Sequence, residues 1–196
     1  MSRGNGRKPR GQRIFVALDP PAEVRSEAEA WARHIARFTQ GLRVVPARNS
    51  HITLAFLGEL DGFEAEETIA ATAESVAPVS GLSLGAPAWL PKRRPRNLVL
   101  DVHDDRRELG RLQTDLARGL KDRLGWSEGR PYRPHLTCAR TSRGFDPSGV
   151  SLPVSPSVAF AASSISVYSS HLGPDGAEYE AIASFPARGE LPDRST

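Results

Sequence analysis

The amino-acid sequence predicts an α+β fold built from two similar halves. Short apolar strands and amphipathic helices are mixed along the 196 residues, which is typical of this fold class. The order strand, helix, strand also occurs twice, because Ile14 precedes His51 by the same 37 residues that separate Leu98 from His135. In each half the second strand carries a histidine followed two residues later by a threonine.

The first half begins with a strand and a helix. Residues 13–18 (RIFVAL) predict the strand, and Asp19 with the two prolines after it predicts a helix start that Asp19 caps. Gly41 is expected to end this helix, and LRVV (42–45) and HITLAF (51–56) predict two further strands. Apolar side chains on one helix face recur at steps of four and three residues: Val24, Ala28, Trp31, Ile35 and Phe38.

The middle of the chain continues this alternation. An alanine-rich stretch from about Phe63 to Ala77 predicts a second helix. LSLGA (82–86) and NLVLDV (97–102) predict strands on either side of a basic loop. Leucines at helical spacing predict a third helix that ends at Gly125: Leu109, Leu112, Leu116, Leu120 and Leu124.

The C-terminal part predicts more strands. HLTCA (135–139) predicts a strand followed by a polar loop. SISVYSS (164–170) and EYEAIAS (178–184) predict a closing hairpin with GPDG (173–176) in its turn.

The charge distribution limits the classes of function. The chain has 26 basic and 23 acidic residues, but residues 1–13 hold five basic residues and no acid. The remainder therefore carries a small excess of acid, which does not fit a broadly basic nucleic-acid binder. A second basic cluster, PKRRPR (91–96), is interpreted either as a solvated loop or as a site that attracts a phosphate-bearing ligand.

The chain length suits one domain, which we expect over residues 13–186, between a disordered basic tail (1–12) and a flexible C-terminal tail (187–196). No apolar run is long enough to span a membrane, and the basic N-terminus lacks the apolar segment of a secretory signal. Cys138 is the only cysteine, so an intramolecular disulfide is impossible. These features predict a cytoplasmic protein without membrane association.

The two His-x-Thr pairs carry the functional prediction. Because side chains alternate along a strand, His51 and Thr53 should share one face, and so should His135 and Thr137. Imidazole and hydroxyl groups on one face of an apolar strand are better explained as the wall of a cleft than as core. With five histidines and eight threonines, chance would give about 0.2 such motifs.

Two facing histidines would supply an acid and a base on opposite sides of a reacting atom. Imidazole has an ordinary pKa near 6.5, so one ring can be neutral while the other is protonated. In-line displacement at phosphorus needs this geometry, and threonine hydroxyls can donate to the non-bridging oxygens. A metal site is a weaker interpretation, because neither motif has an aspartate, a glutamate or a second histidine beside it.

These motifs resemble those of the 2H phosphoesterase superfamily, and more closely those of the RNA 2′,3′-cyclic phosphodiesterases, also called 2′-5′ RNA ligases. The resemblance implies two pseudo-symmetric lobes, each an antiparallel sheet with flanking helices, around a central cleft. Four stretches carry it in the right order: RIFVALDPP (13–21), NSHITLAFLGEL (49–60), RPYRPHLTCAR (130–140) and VYSSHLGPDGAEYE (167–180).

The resemblance also implies a reaction. The family hydrolyses RNA 2′,3′-cyclic phosphate ends to 2′-phosphomonoesters without metal, ATP or another cofactor, and the same groups allow the reverse 2′-5′ ligation. His51 would be the proton donor to the leaving 3′ oxygen, His135 the proton acceptor that activates water, and Thr53 and Thr137 would hold the phosphate. The residues alone do not decide between the two histidine roles. The expected partner is RNA with a cyclic phosphate end, and we expect a monomer without a protein partner.

Contacts to the rest of the substrate are less constrained. The family's second motif ends in an arginine that contacts phosphate, which corresponds to Arg140 here. Strict strand alternation instead places Arg133 on the His135 face. Phe56 either stacks on a base or packs in the core, and Tyr132 is a further candidate for binding. Two alternatives also stay open, namely a phosphodiesterase of small cyclic phosphates, such as a cyclic nucleotide or ADP-ribose 1″,2″-cyclic phosphate, and a non-catalytic module that binds RNA ends.

Overall fold

The fold is taken from a computed structural model, which describes residues 11–173 and 176–187. Residues 1–10 and 188–196, which form most of the two predicted tails, lie outside the described residues, as does the middle of the GPDG turn. Where the described chain reaches the predicted tails, Gln12 already belongs to a strand and Ala187 is buried.

The described residues form strands β1 to β9, helices α1 to α3 and a short 3₁₀ turn. In chain order they are β1 (Gln12–Asp19), α1 (Ala22–Ala36), β2 (Leu42–Val44), the 3₁₀ turn (Ala47–Asn49), β3 (Ile52–Leu60), α2 (Gly62–Ser75), β4 (Leu82–Leu90), β5 (Asn97–Asp104), α3 (Glu108–Leu124), β6 (His135–Thr141), β7 (Ala159–Phe160), β8 (Ser164–Gly173) and β9 (Gly176–Pro186). Each predicted strand and helix is present, whereas the two-residue strand β7 has no counterpart in the prediction.

Two antiparallel sheets contain these strands, in the orders β3-β1-β8-β9 and β2-β6-β5-β4-β7. The repeat accounts for the neighbouring pairs β1–β3 and β5–β6. The halves nevertheless exchange strands, because β2 joins the sheet of the second half and the C-terminal hairpin β8–β9 joins the sheet of the first. The predicted α+β class with two antiparallel sheets is confirmed.

Strand β1 is central in its sheet and is buried on both faces. Ile14, Val16 and Leu18 are fully buried in the core. Phe15 and Ala17 point to the other face and are also buried, although that face borders the cleft described below. This explains why RIFVAL is an unbroken apolar run instead of an alternating one.

Helix α1 differs from the prediction at both ends. It ends at Ala36, so Phe38 lies beyond it and is 81% exposed, and Gly41 belongs to the turn before β2. At its start, the N-cap residue is Pro21, so the prediction that Asp19 caps the helix is wrong. The periodicity of the apolar residues was still a correct guide to the buried face up to Ile35.

Helices α2 and α3 pack against each other, and α3 also contacts β3 and β5. Gly125 ends α3 as predicted, with a φ of +67° and its N–H donating to the Lys121 carbonyl at 2.8 Å. Four of the five predicted leucines are buried, Leu124 being half-buried: Leu109, Leu112, Leu116 and Leu120. None of the described helices combines the length and apolar character needed to cross a bilayer.

Candidate active site

The two His-x-Thr motifs meet where the two sheets come together. His51 lies immediately before β3, His135 is the first residue of β6, and β3 and β6 contact each other although they belong to different sheets. Both motifs therefore lie at one junction, as the repeat predicts.

The same backbone contact orients both imidazole rings. His51 Nδ1 lies 2.9 Å from the carbonyl oxygen of Asn49, and His135 Nδ1 lies 2.8 Å from the carbonyl oxygen of Arg133. A carbonyl oxygen only accepts hydrogen bonds, so Nδ1 carries the proton in each ring. The Nε2 atom of each ring is thereby left to exchange a proton with a bound molecule.

Three aromatic rings surround His51. Its centroid lies 4.8 Å from that of Phe15, 6.0 Å from that of Tyr168 in a stacked arrangement, and 5.3 Å from that of Tyr179 edge-on. The imidazole is consequently half-buried and held in one orientation.

Burial lowers the pKa of His51 from 6.5 to about 4, because it penalises the charged ring. The positive charge of Arg140 lowers this pKa further, as does His135 when its own ring is protonated. The hydrogen bond to Asn49 and the charge of Asp19 act in the opposite direction. Without a ligand, the His51 ring is therefore neutral at pH 7.

The Asp19 carboxylate is buried behind this aromatic cluster, at 9% exposure. It accepts hydrogen bonds from the hydroxyls of Tyr168 at 2.7 Å, Ser166 at 2.6 Å and Ser164 at 2.8 Å. Sequence reasoning missed this role. The available signal was the alternation of hydroxyl residues along SISVYSS, which places these three donors on one face of β8.

A cleft of about 540 Å³ opens beside His51. Thr53 and Thr137 both line it, so each motif contributes a hydroxyl. His135 is half-buried and is not among the lining residues, but it is close enough for its charge to affect the pKa of His51. Arg140, a predicted substrate-binding residue, also lines the cleft. The remaining lining residues were not predicted: Arg43, Val44, Val45, Pro46, Arg48, Asn49, Ala177, Glu178 and Tyr179.

A β-bulge interrupts the first motif strand. In the pairing of β3 with β1, Thr53 lies opposite Ala17 and Ala55 lies opposite Val16, so Leu54 is an extra residue. The side chains of Leu54 and Ala55 are both buried, and strict alternation stops at this point.

The second motif strand has a bulge at the same place. In the pairing of β6 with β5, Thr137 lies opposite Val99 and Ala139 lies opposite Leu98, so Cys138 is the extra residue. The matching bulges support the interpretation of the two halves as a repeat, and they change which later side chains reach the cleft.

Arg140 reaches the cleft because of this bulge, and its Nη2 lies 3.3 Å from the hydroxyl of Tyr179. Arg133, which strict alternation favoured, does not line the cleft. Its guanidinium is paired with the carboxylate of Asp101 through Nε at 3.1 Å and Nη2 at 2.8 and 2.9 Å. Alternation was wrong for Arg140, which it placed on the face opposite His135, because alternation ignores the extra residue Cys138.

Neither of the two aromatic candidates, Phe56 and Tyr132, is among the residues that line the cleft. Phe56 pairs across the sheet with Phe15, so it lies on the cleft face, where it is 49% exposed and has the Arg13 guanidinium 5.6 Å from its ring centroid. Tyr132 lines a separate depression with Gln113, and burial raises the pKa of its hydroxyl. Within the described residues, no group of three or more His, Cys, Asp or Glu side chains is arranged to hold a metal ion.

Comparison with a protein-family model identifies one match. Residues 18–146, which include both His-x-Thr motifs and Arg140, match the model of the 2′-5′ RNA ligase superfamily.

Similar proteins of known activity are bacterial and archaeal. The RNA 2′,3′-cyclic phosphodiesterase of Escherichia coli (strain K12) is 36% identical over 133 residues, which cover 66% of this chain and 72% of that protein. The protein of the same name from Thermus thermophilus is 29% identical over 187 residues, covering 91% of both chains.

Solved structures show the same fold. E. coli LigT complexed with 3′-AMP superposes with a TM-score of 0.74 at 25% identity, covering 90% of this chain and 98% of that one. A protein from T. thermophilus gives a TM-score of 0.71 at 26% identity, covering 91% and 100%.

Proposed function

Because the chain belongs to the 2′-5′ RNA ligase superfamily, we propose that it hydrolyses RNA 2′,3′-cyclic phosphate ends to 2′-phosphomonoesters. One observation supports this most strongly: two imidazoles with equivalent backbone anchors lie at the junction that holds Thr53, Thr137 and Arg140. Such a pair can add water to phosphorus and protonate the departing oxygen in one displacement.

In the proposed reaction, Nε2 of His135 accepts a proton from water as the water oxygen attacks phosphorus. The bond between phosphorus and the 3′ oxygen breaks on the opposite side. Nε2 of His51 donates a proton to this oxygen, which leaves a 3′ hydroxyl and a 2′-phosphomonoester. In 2′-5′ ligation, the 5′ hydroxyl of a second RNA would take the place of water, so His135 would again accept the proton and His51 would again donate one to the 3′ oxygen.

Three cleft residues would bind the phosphate in this scheme. The hydroxyls of Thr53 and Thr137 can donate to the non-bridging oxygens, where negative charge increases in the transition state. Arg140 supplies a fixed positive charge, and its contact with the Tyr179 hydroxyl restrains the guanidinium.

The low pKa of His51 bears directly on its role as donor. A ring with a pKa of about 4 is neutral at pH 7, whereas a donor must be protonated. The negative charge of a bound cyclic phosphate favours the imidazolium, and the carboxylate of Asp19 acts in the same direction. We therefore propose that His51 acquires its proton when the substrate binds.

Product analysis with an oligonucleotide that ends in a 2′,3′-cyclic phosphate tests this function. We expect a 2′-phosphate product in the presence of EDTA, and a loss of about 10²- to 10⁴-fold in turnover for His51→Ala and for His135→Ala. His34→Ala, at an exposed position on α1, is the matched control and should retain full activity. A 3′-phosphate product, or undiminished turnover in either cleft variant, would contradict the proposal.

A further inference from the structure

Two arginines lie side by side on the cleft face of the second sheet. Arg43 on β2 is directly opposite Arg140 on β6, and both line the cleft. Like charges directly opposite each other in a sheet destabilise the pairing. Arg48, in the 3₁₀ turn after β2, adds a third guanidinium to the same cleft.

Little in the described chain compensates this charge. Among residues 11–173 and 176–187, Arg43 and Arg48 form no ion pair and no side-chain hydrogen bond, and both are exposed. Glu178 is the single carboxylate among the lining residues that are described. The nearby Glu29 accepts hydrogen bonds from Arg33 and from the backbone N–H of Ala47, and the charge of Arg48 contributes weakly to lowering the pKa of its carboxyl, without an ion pair within contact distance.

The three arginines of the cleft therefore carry more positive charge than is required to balance the single negative charge of a cyclic phosphate. A 2′,3′-cyclic phosphate carries one negative charge, which Arg140 can balance. The two further guanidinium groups are available to bind a second anionic group on the same molecule. In an RNA strand, that group is the phosphodiester that precedes the cyclic end.

We propose that Arg43 and Arg48 form a subsite for this preceding phosphodiester, so that the protein prefers oligonucleotides to mononucleoside cyclic phosphates. The inference rests on the proposed function, since it places the cyclic phosphate at Arg140 and the two histidines. Strand β2 lies one strand beyond β6, at a spacing of about 4.8 Å, so the subsite continues the cleft face away from β3. Guanidinium groups suit this role because their planar donors match phosphate oxygens in pairs.

The test compares two substrates that differ by one phosphodiester: 2′,3′-cyclic AMP and the dinucleotide ApA ending in a 2′,3′-cyclic phosphate. For the unmodified protein, we expect kcat/KM to be about tenfold or more higher on the dinucleotide. The double variant Arg43→Gln, Arg48→Gln should lose this advantage, while its kcat/KM on 2′,3′-cyclic AMP should stay within about twofold of that of the unmodified protein. Retained activity on 2′,3′-cyclic AMP also shows that the variant is folded.

Salt dependence gives an independent readout. For the dinucleotide, the slope of log kcat/KM against log salt concentration should become shallower in the double variant by at most about 0.7, because one phosphodiester is no longer neutralised. The matched control is Arg111→Gln, Arg118→Gln, which removes the same charge from exposed positions on α3 and should change neither the preference nor the slope.

The outcomes separate this inference from the proposed function. Hydrolysis of both substrates without a preference for the dinucleotide would overturn the subsite alone. So would an equal loss on both substrates in the double variant, no loss on either, or the same loss in the α3 control. Failure of the unmodified protein to hydrolyse either substrate would overturn the proposed function and the subsite together.

Discussion

At the scale of single residues, the two histidines share an anchor but not an environment. Each Nδ1 donates to the carbonyl of the residue two positions earlier, yet His51 is enclosed by aromatic rings, whereas His135 adjoins the ion pair of Arg133 and Asp101. Because their surroundings differ, one imidazole can be protonated while the other is neutral at the same pH. This asymmetry is the physical basis for assigning one acid and one base.

Asp19→Asn tests how the buried carboxylate contributes to the acid role. The amide keeps one acceptor oxygen, and a hydroxyl that faces its NH2 group can accept instead of donate, but the substitution removes the negative charge that raises the pKa of His51. We expect NMR titration of the ligand-free variant to give a pKa for His51 below the value of about 4 in the unmodified protein. The basic limb of the kcat profile should move to lower pH, because less His51 is protonated in the complex.

The control for this prediction is Asp115→Asn, on the exposed face of α3. It should leave both the pKa of His51 and the kcat profile unchanged. If Asp19→Asn lowers activity by the same factor at every pH without altering the titration of His51, the carboxylate has only a structural role.

At the scale of strands and helices, the bulges decide which side chains reach the cleft. Hydrophobic periodicity located β1, β3, β5 and β6 and both His-x-Thr pairs, because each of these depends on local sequence. A bulge depends on the register with a neighbouring strand, and no local pattern around Leu54 or Cys138 indicates it. Alternation therefore placed Arg140 on the wrong face, whereas the family resemblance indicated that it contacts phosphate. The role of Arg43 required the β2–β6 pairing, which local sequence also does not show.

The bulge residue Cys138 provides a test at this scale. Its thiol is buried on the core side of β6, and burial raises its pKa to about 12. Because the thiolate is the reactive form, we expect no alkylation by iodoacetamide in the folded protein at pH 8 and stoichiometric alkylation after unfolding in urea. Cys138→Ala should retain turnover while losing stability. Rapid alkylation of the native protein with loss of activity would contradict the placement of Cys138 away from the cleft.

At the scale of the whole molecule, the candidate site lies at the seam between two sheets that exchange strands. The first half supplies β2 to the second sheet, and the C-terminal hairpin completes the first sheet. The repeat predicted two similar halves but not this exchange, because strand partners far apart in sequence leave no periodic signal. Because each sheet contains strands from both halves, we expect the two halves to unfold together. The protonation of the half-buried His51 should therefore affect the free energy of unfolding of the whole protein.

The pH dependence of stability follows from His51. Its pKa is about 4 in the folded protein and near 6.5 in the unfolded chain, so the unfolded state binds the proton more readily between these values. The stabilisation is complete above pH 6.5 and is lost as the pH falls towards 4. We expect urea denaturation to show a free energy of unfolding about 2 kcal/mol lower at pH 5 than at pH 7 from this residue.

The variant His51→Asn removes the titrating ring and should flatten this part of the profile. If the unmodified protein and the variant lose stability equally between pH 7 and pH 5, the conclusion that His51 has a lowered pKa in the folded, ligand-free protein is wrong.

A crystal structure with a bound oligonucleotide 2′-phosphate, the expected product, examines the reacting geometry itself. We predict that its phosphate oxygens lie within about 3 Å of Nε2 of His51 and of Nε2 of His135, with the 3′ hydroxyl on the His51 side. A phosphate bound in the cleft by one imidazole alone, with the other ring beyond the reach of any phosphate or 3′ oxygen, would contradict the two-histidine reaction.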